Sequence, residues 1–380
     1  MIVGSAPPMR CGVGDNTIAL SQKLALLGHR VEIITSTGAS EDSPCDKVGI
    51  SAIMPGWSSF YGGTLLKRIL EIEPDIIHLQ YPTQGYGRGF APSLIGMQLK
   101  ARRISAPFIV TLHEFVHAHP LRKAAIVPLL SEVSAVIFPS IQERDALVKR
   151  FATLRRTPTY LIPIGAVLPE NFNELKIELK KKKEELKKKW NVPPDGIIVN
   201  FGFFQTHKGF ELILRVLKAL RKDGFKCELW HVGAFDPHRI PYHRFLEHIS
   251  REGVLKDAVK FLGYLPFEEV AEIFTIARAG VFPFTDGYSD RRSSMITFAQ
   301  FDVPLITTKS YIPEIDEKVS PFVTLIDRNN ANQLKNVLEE IIANEAVYNR
   351  EAERVSGFRA LYDWDMIACQ TEEVYRKYLK

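Results

Sequence analysis

The feature that most constrains this chain is its rhythm. Short, apolar, β-branched runs alternate with helix-like stretches almost from end to end. VEIIT (31–35), IIHLQ (76–80), FIVTLHE (108–114), AVIFPS (135–140) and TYLIPIG (159–165) are candidate strands, separated by helical patterns such as DNTIALSQKLALLG. Strands that alternate with helices in this way form a parallel sheet with helices on both faces. The rhythm breaks at LKIELKKKKEELKKKWNVPPDG, a charged helix closed by Pro193, Pro194 and Gly196. It resumes with GIIVNFG (196–202), KCELWHVG (226–233), VKFLG (259–263), AGVFPF (279–284), VPLITT (303–308) and FVTLID (322–327). The fold class is therefore α/β, built as two doubly wound lobes of parallel sheet. The expected bounds are a first lobe over 1–166, a linker with the lysine-rich helix over 167–195, a second lobe over 196–360 and a closing helix over 361–380.

At 380 residues and 46% hydrophobic, the chain has enough apolar material for two cores. No apolar run approaches the ~18–20 residues of a spanning helix, and the opening MIVGSAPPMRCG has neither a basic leader nor an apolar export core. A cytoplasmic protein is expected. Cys11, Cys45, Cys227 and Cys369 lie far apart with no Cys-x-x-Cys pair, which suits reduced thiols and argues against a disulfide frame or a zinc site. Charge is unevenly placed. Residues 176–189 carry eight lysines against three glutamates, and positions 1–173 hold 17 basic and 13 acidic side chains, against 24 and 27 for 190–380. A basic first lobe points to an anionic partner, either a phospholipid surface or a phosphorylated acceptor; a lysine-rich helix that only keeps the protein soluble is the alternative. No helix-turn-helix, zinc-finger or RNA-stacking pattern accompanies the lysines, so nucleic acid is not an expected partner.

Ligands of doubly wound sheets sit beyond the carboxyl ends of the strands, which directs attention to the residues just after each one. After GIIVNFG, Lys208 stands at the mouth of an amphipathic helix, where backbone donors and a lysine together make an anion site. The glycine spacing and Lys-Ser/Thr pair of a Walker loop are missing. FTDGYSDRRSS crowds Asp286, Asp290, Arg291, Arg292, Ser293 and Ser294 before an apolar helix. Serines there point hydroxyls and amides at an anion, and arginines clamp diphosphates; a surface ion-pair network is the competing reading. In the first lobe, PPMRCGVGDNT puts Gly12 and Gly14 between a strand and a helix, and His113 with Glu114 closes FIVTLHE. His117 and His119 follow, but their irregular spacing and the lack of a fourth ligand argue against a metal, as does the helical setting of the DWD at 363–365. Nothing matches a nucleophile elbow, a kinase loop set or a Gly-x-Gly-x-x-Gly with its ribose acid.

In order, PPMRCGVGDNT, IIHLQYP, VTLHEF, LIPIG, FGFFQTHKG, HVGAF, FLGYLP, FPFTDGYSDRRSS, DVPLITT and WDMIACQTEEVYRKYL resemble the glycosyltransferase family 4 group of GT-B enzymes, also described as glycosyl transferases group 1. The resemblance runs along essentially the whole chain. It implies two Rossmann-like lobes facing a cleft, a nucleotide-diphosphate sugar held mainly by the second, an acceptor held by the first, retention of anomeric configuration, no metal and no cofactor. Lys208 then matches the lysine on the donor diphosphate, Gly12 and Gly14 the loop over phosphates and sugar, and His113 the histidine on the donor sugar. Gly202, Gly233, Tyr264 and Leu265 fall among the donor-binding positions, the last two near the base. The segment from Trp364 resembles a final helix that braces the first lobe. Two features depart from the pattern. The family's arginine a few residues before the lysine is replaced by Phe203, Phe204 and Gln205, and its two glutamates, with six residues between them, align with Asp290 and Thr297, or with Asp286 for the first. Arg291 or Arg292 is expected to supply the missing cation, while Asp286 or Asp290 holds sugar hydroxyls. The expected function is retaining transfer of a hexose-type sugar to a lipid-linked or polysaccharide acceptor in cell-surface polysaccharide synthesis, with peripheral contact at the inner face of the membrane. A GT-B-fold nucleotide-sugar epimerase and a degenerate, non-catalytic partner subunit are the alternatives.

Overall fold

The computed structural model of the chain describes residues 1–9, 11–116, 120–151, 155–169 and 171–379, apart from the side chains at 84, 120 and 121. It divides into two compact units, Met1–Val167 together with Tyr362–Lys380, and Leu168–Leu361.

In the first unit the strands are β1 (Val31–Ser36), β2 (Val48–Met54), β3 (Ile77–Tyr81), β4 (Phe108–Leu112), β5 (Ala135–Phe138) and β6 (Thr159–Leu161). β3-β4-β5-β6 form one parallel sheet and β1-β2 a parallel pair, while Ile2 bridges both Ile34 and Leu79 and so lies between them. β2 was not expected from the sequence, because VGISAIM is interrupted by Gly49 and Ser51. Both sit against the Glu32 carboxylate, which also receives Arg68 at 2.9 Å, so the pair carries a polar stripe that hides its strand character.

The second unit has β7 (Ile197–Phe201), β8 (Glu228–Val232), β9 (Val259–Phe261), β10 (Ala279–Phe282), β11 (Leu305–Thr308) and β12 (Thr324–Ile326), all parallel in the order β12-β11-β10-β7-β8-β9. The chain enters at the middle of the sheet, winds outward through β8 and β9, then returns to β10 on the other side of β7. This reversal opens a crevice beyond the carboxyl ends of β7 and β10, where doubly wound sheets take their ligands. Helix Phe210–Lys222 covers the sheet with Phe210, Ile213, Leu214, Leu217 and Leu220, the i, i+3, i+4 spacing of one apolar face.

The lysine-rich segment is not one helix but two, Phe172–Lys181 and Lys183–Lys189, broken at Lys182. It packs within the second unit instead of standing apart as a linker. Phe172 sits edge-on to Phe267 and Phe301, Lys176 and Lys180 share Asp302, and Lys189 meets Glu272. Much of its charge is thus matched inside its own unit.

The final helix, Trp364–Arg376, is capped by Asp363 and belongs to the first unit. Ile367, Ala368 and Val374 join Val31 and Ile33 in one core cluster, and Trp364 Nε1 donates to Ala166 O at 2.6 Å. Within residues 56–70, Trp57, Leu65, Leu66 and Ile69 are buried, whereas Phe60, 84% exposed, and Leu70 face outward. No helix among the described residues is long and apolar enough to cross a membrane.

Candidate functional site

The loops after β7 and β10 meet at the switch point of the second sheet. Gly202 leaves β7 with φ of 111°, and a short turn, Thr206–Lys208, leads to Gly209 with φ of 64°. A Cβ on Gly209 would stand 2.1 Å from Pro283 O, and Thr285 N donates to His207 O at 2.9 Å, so the two loops are pressed together where only glycine fits. That closeness aims Lys208 back over the strand end. A Cβ on Gly202 would lie 2.8 Å from Lys208 Nζ and 3.2 Å from Ser294 Cβ, at the start of helix Ser293–Phe298. The Lys208 N–H donates to Gln205 O at 2.9 Å, but its ammonium makes no hydrogen bond or ion pair among the described residues. Desolvation pushes its ammonium down to about 8, with the positive charge of Arg292 adding to the effect. The side chain as a whole keeps some exposure while its charged end is enclosed. An enclosed cation without a counter-charge costs free energy that an anionic ligand relieves.

Arg292, 8% exposed, is the arginine that the fold places near Lys208. Its guanidinium donates to Asp286 at 2.5 Å and to Gly287 O at 3.2 Å, and lies over the Phe284 ring at 4.1 Å, while its Nε is buried with no partner among the described residues. Burial alone would raise the Asp286 carboxyl; the hydrogen bond and charge of Arg292 outweigh it and hold the group low. An ion pair of the kind given as the competing reading thus forms between Asp286 and Arg292, but it is largely buried and its arginine acts on the Lys208 charge. Asp290 is turned to Lys318 at 3.0 Å, and Arg291 is half-buried. Ser293 is exposed, whereas Ser294 faces Gly202.

Beside this cluster the strand-end glycines are laced together. Gly202 N donates to Val232 O and Gly233 N to Gly263 O, both at 2.9 Å, and a Cβ on Gly233 would fall 2.1 Å from Gly202 O. Tyr264 is exposed and Leu265 half-buried just beyond. Phe204, in the place of the family's arginine, is core: its ring lies against the buried His231 with centroids 3.6 Å apart and planes tilted by 30°, and it meets Phe210 edge-on. Phe203 is exposed.

In the first unit, Gly12 begins helix Gly12–Leu26 with open space where a side chain would be. Gly14 is different, since a Cβ there would meet Ser5 O at 2.2 Å, which makes it a packing glycine in the first turn. His113 follows β4, its N–H donating to Tyr81 O at 2.8 Å and its Nε2 to Gln80 Oε1 at 2.7 Å. The loop beyond is held by Glu143, which accepts from Phe115 N at 2.6 Å and Val116 N at 3.0 Å. A small cavity of about 30 Å³ adjoins, lined in part by Asn16, Gln80, Thr111, His113, Trp364 and Thr371. His117 and His119 lie outside the described residues, and among those described no three His, Cys, Asp or Glu side chains gather as a metal would require. Sequence reasoning missed Gln80 and Glu143. Its only signals were polar residues in an apolar strand and a Ser140-x-x-Glu143 capping pattern.

Two family models match the chain, Glycosyltransferase Family 4 over residues 11–168 and Glycosyl transferases group 1 over residues 182–356. Among solved structures, sucrose-phosphate synthase from Thermosynechococcus elongatus is 21% identical with a TM-score of 0.71, covering 99% of this chain and 97% of its own. HepE from Anabaena, solved with UDP-glucose, is 13% identical with a TM-score of 0.72, covering 99% and 98%. WaaG, a glycosyltransferase involved in lipopolysaccharide biosynthesis, is 13% identical with a TM-score of 0.62, covering 98% of each chain. No protein of curated function matches in sequence.

Proposed function

Because the chain belongs to the family 4, group 1 glycosyltransferases of GT-B fold, we propose that it moves a hexose-type sugar, with retention, from a nucleoside diphosphate to a hydroxyl of a lipid-linked or glycan acceptor. The observation that carries this reading is the enclosed, unpartnered ammonium of Lys208 beside Ser294 and Arg292 at the β7–β10 switch point.

A sugar nucleotide reacts by loss of its diphosphate, so the site must stabilise charge on that leaving group and orient the attacking hydroxyl. Lys208 supplies a charge that no group among the described residues neutralises. Arg292 supplies a second cation whose attachment to Asp286 keeps it in place. The proposed step is front-face displacement: the departing phosphate oxygen accepts the hydroxyl proton as the new C–O bond forms on the side the diphosphate leaves. This needs neither a protein nucleophile nor a metal. His113 is assigned to the donor sugar, Tyr264 and Leu265 to the base, and Asp286 to the sugar hydroxyls. Asp290, committed to Lys318, is a weaker candidate for that role than the sequence suggested.

A surface-polysaccharide acceptor and peripheral attachment to an anionic membrane rest on the basic first lobe and the outward Phe60. The lysine-rich helices add nothing to that argument, because much of their charge is matched within the second unit. Release of the protein from membranes by high salt is the expected result, and full solubility at low salt would remove this element. The transferase reading itself is tested by calorimetric titration with UDP, GDP, ADP and TDP and their sugar conjugates. Selective binding of one nucleotide, lost in Lys208→Ala, is expected. Failure of all of them to bind would favour a non-catalytic partner subunit.

A further inference from the structure

Behind His113, the first unit holds a run of buried polar side chains, Gln80, His78, Thr111 and Tyr375, to which the proposed chemistry gives no role. β3 and β4 are parallel neighbours with Gln80 opposite Thr111, and residues two apart on a strand share a face, so His78 and Gln80 stand beside Thr111 and His113. The contacts are continuous. His113 Nε2 meets Gln80 Oε1 at 2.7 Å, and Gln80 Nε2 lies 3.4 Å from His78 Nε2. His78 Nε2 also meets Thr111 Oγ1 at 2.7 Å, while His78 Nδ1 meets the Tyr375 hydroxyl of the final helix at 2.6 Å. Burial lowers His113 to about 4, and burial first, then the charges of the N-terminus and His113, lower His78 to about 3. Both rings are neutral at ordinary pH, each with one donor and one acceptor nitrogen.

Such a run has a direction. With the amide oxygen of Gln80 on His113 Nε2, that nitrogen holds the proton and Nδ1 keeps its lone pair. The amide N–H of Gln80 and the hydroxyl of Thr111 then donate to His78 Nε2, and His78 Nδ1–H donates to Tyr375. We propose that Tyr375 of the final helix sets the tautomer of His113 through His78 and Gln80, which act as positioning residues. Without the Tyr375 hydroxyl, a proton on His78 Nδ1 has no acceptor. Moving it to Nε2 restores a bond to Thr111 Oγ1, but two donors would then face each other between His78 and Gln80. The amide turns over, its N–H group meets His113 Nε2, and the His113 proton moves to Nδ1. The chemical consequence rests on the donor reading: Nδ1 of His113, which has no hydrogen bond among the described residues, accepts from a sugar hydroxyl in the native tautomer and donates in the inverted one.

The test is two-bond ¹⁵N–¹H correlation of the histidine rings in the full chain labelled with ¹⁵N-histidine, with His113 identified by its loss in His113→Gln. The native protein is expected to show His113 protonated at Nε2. Tyr375→Phe should exchange the protonated and lone-pair nitrogens of His113. Thr111→Val, which removes the acceptor needed by the inverted form, should hold the native tautomer, and should also block the exchange when combined with Tyr375→Phe. Gln80→Leu should leave His113 a mixture that Tyr375→Phe no longer alters. A native Nδ1–H form, or a Tyr375→Phe spectrum with His113 unchanged, overturns the proposal. Should Tyr375→Phe fail to fold, a pure Nε2–H ring in Gln80→Leu overturns it equally. These readouts need no ligand, so failure of the relay is separable from failure of the donor reading.

Discussion

Replacing Lys208 with methionine should make the protein more stable and its ligand binding worse. The lysine's ammonium is held at about 8 instead of the usual 10.5, chiefly by desolvation. The folded chain therefore binds this proton less tightly than the unfolded chain does. The penalty is complete below pH about 8, and fades as pH rises from there toward 10.5. At ~1.4 kcal/mol per tenfold in proton affinity the gap corresponds to roughly 3 kcal/mol, and the partial exposure of the side chain trims this to about 1–3 kcal/mol. Methionine keeps most of the apolar stem and removes the charge. The melting transition of the second unit should rise by about 2–4 °C for each kcal/mol recovered at pH 7, and the difference from the native protein should shrink at pH 10. In the same samples a nucleoside diphosphate should stabilise the native protein by mass action and leave Lys208→Met almost unmoved, because a charge-assisted hydrogen bond is worth about 1.5–3 kcal/mol, or about 10- to 150-fold in affinity. Differential scanning fluorimetry at both pH values measures all of this. A Lys208→Met protein less stable than the native one at pH 7, or one with an undiminished response to nucleotide, would refute the idea of an ammonium kept waiting for an anion.

The same group makes ligand binding pH-dependent. A diphosphate favours the charged lysine, so affinity should fall by up to about tenfold per pH unit above about 8, and equal dissociation constants at pH 7 and 9 would contradict this. Gly209→Ala demands a left-handed backbone of an L-residue and drives a Cβ against Pro283 O. It should cost at least about 1–3 kcal/mol in chemical denaturation and disturb the Lys208 loop; a neutral effect would mean that the two loops are not in contact. Glu143→Ala strips two backbone N–H groups of their acceptor, at about 1–3 kcal/mol for each one left buried. Hydrogen exchange should accelerate at Phe115 and Val116, and unchanged protection there would deny Glu143 its clamping role.

The layout of parallel strands was legible because each one is a compact apolar run, and every strand of the second sheet lies within a segment read from the sequence alone. β2 escaped because its Gly49 and Ser51 serve the Glu32–Arg68 group, a need that arises only once β1 is alongside. The lysine-rich helix misled for a related reason. Its charges look solvated in one dimension, yet Asp302 and Glu272, more than eighty residues away, meet Lys180 and Lys189. At the site, Lys208 was visible from its place after a strand. That Arg292 would turn to Asp286 and not outward, and that Asp290 would turn to Lys318, depends on the sharp turn around Gly287, with φ of 78°, which spacing does not disclose. Gln80 and His78 were hidden in plain view, since polar residues two apart in a strand read as ordinary alternation until a neighbouring strand and a distant helix provide their partners.

The final helix has a consequence for how the molecule is made. A ribosome releases the chain in order, yet the first unit is completed only by Tyr362–Lys380, which emerge after the whole second unit. The second unit is one uninterrupted stretch, Leu168–Leu361, and has all of its sheet available before those residues appear. Meanwhile the earlier stretch waits with Leu20, Val31 and Ile33 lacking the cover that Ile367, Ala368 and Val374 later supply. Domains emerging from synthesis generally fold as units, the earliest first. Here the part born second is the first able to finish, and the first-born part must keep an apolar face out of trouble until the helix that covers it follows.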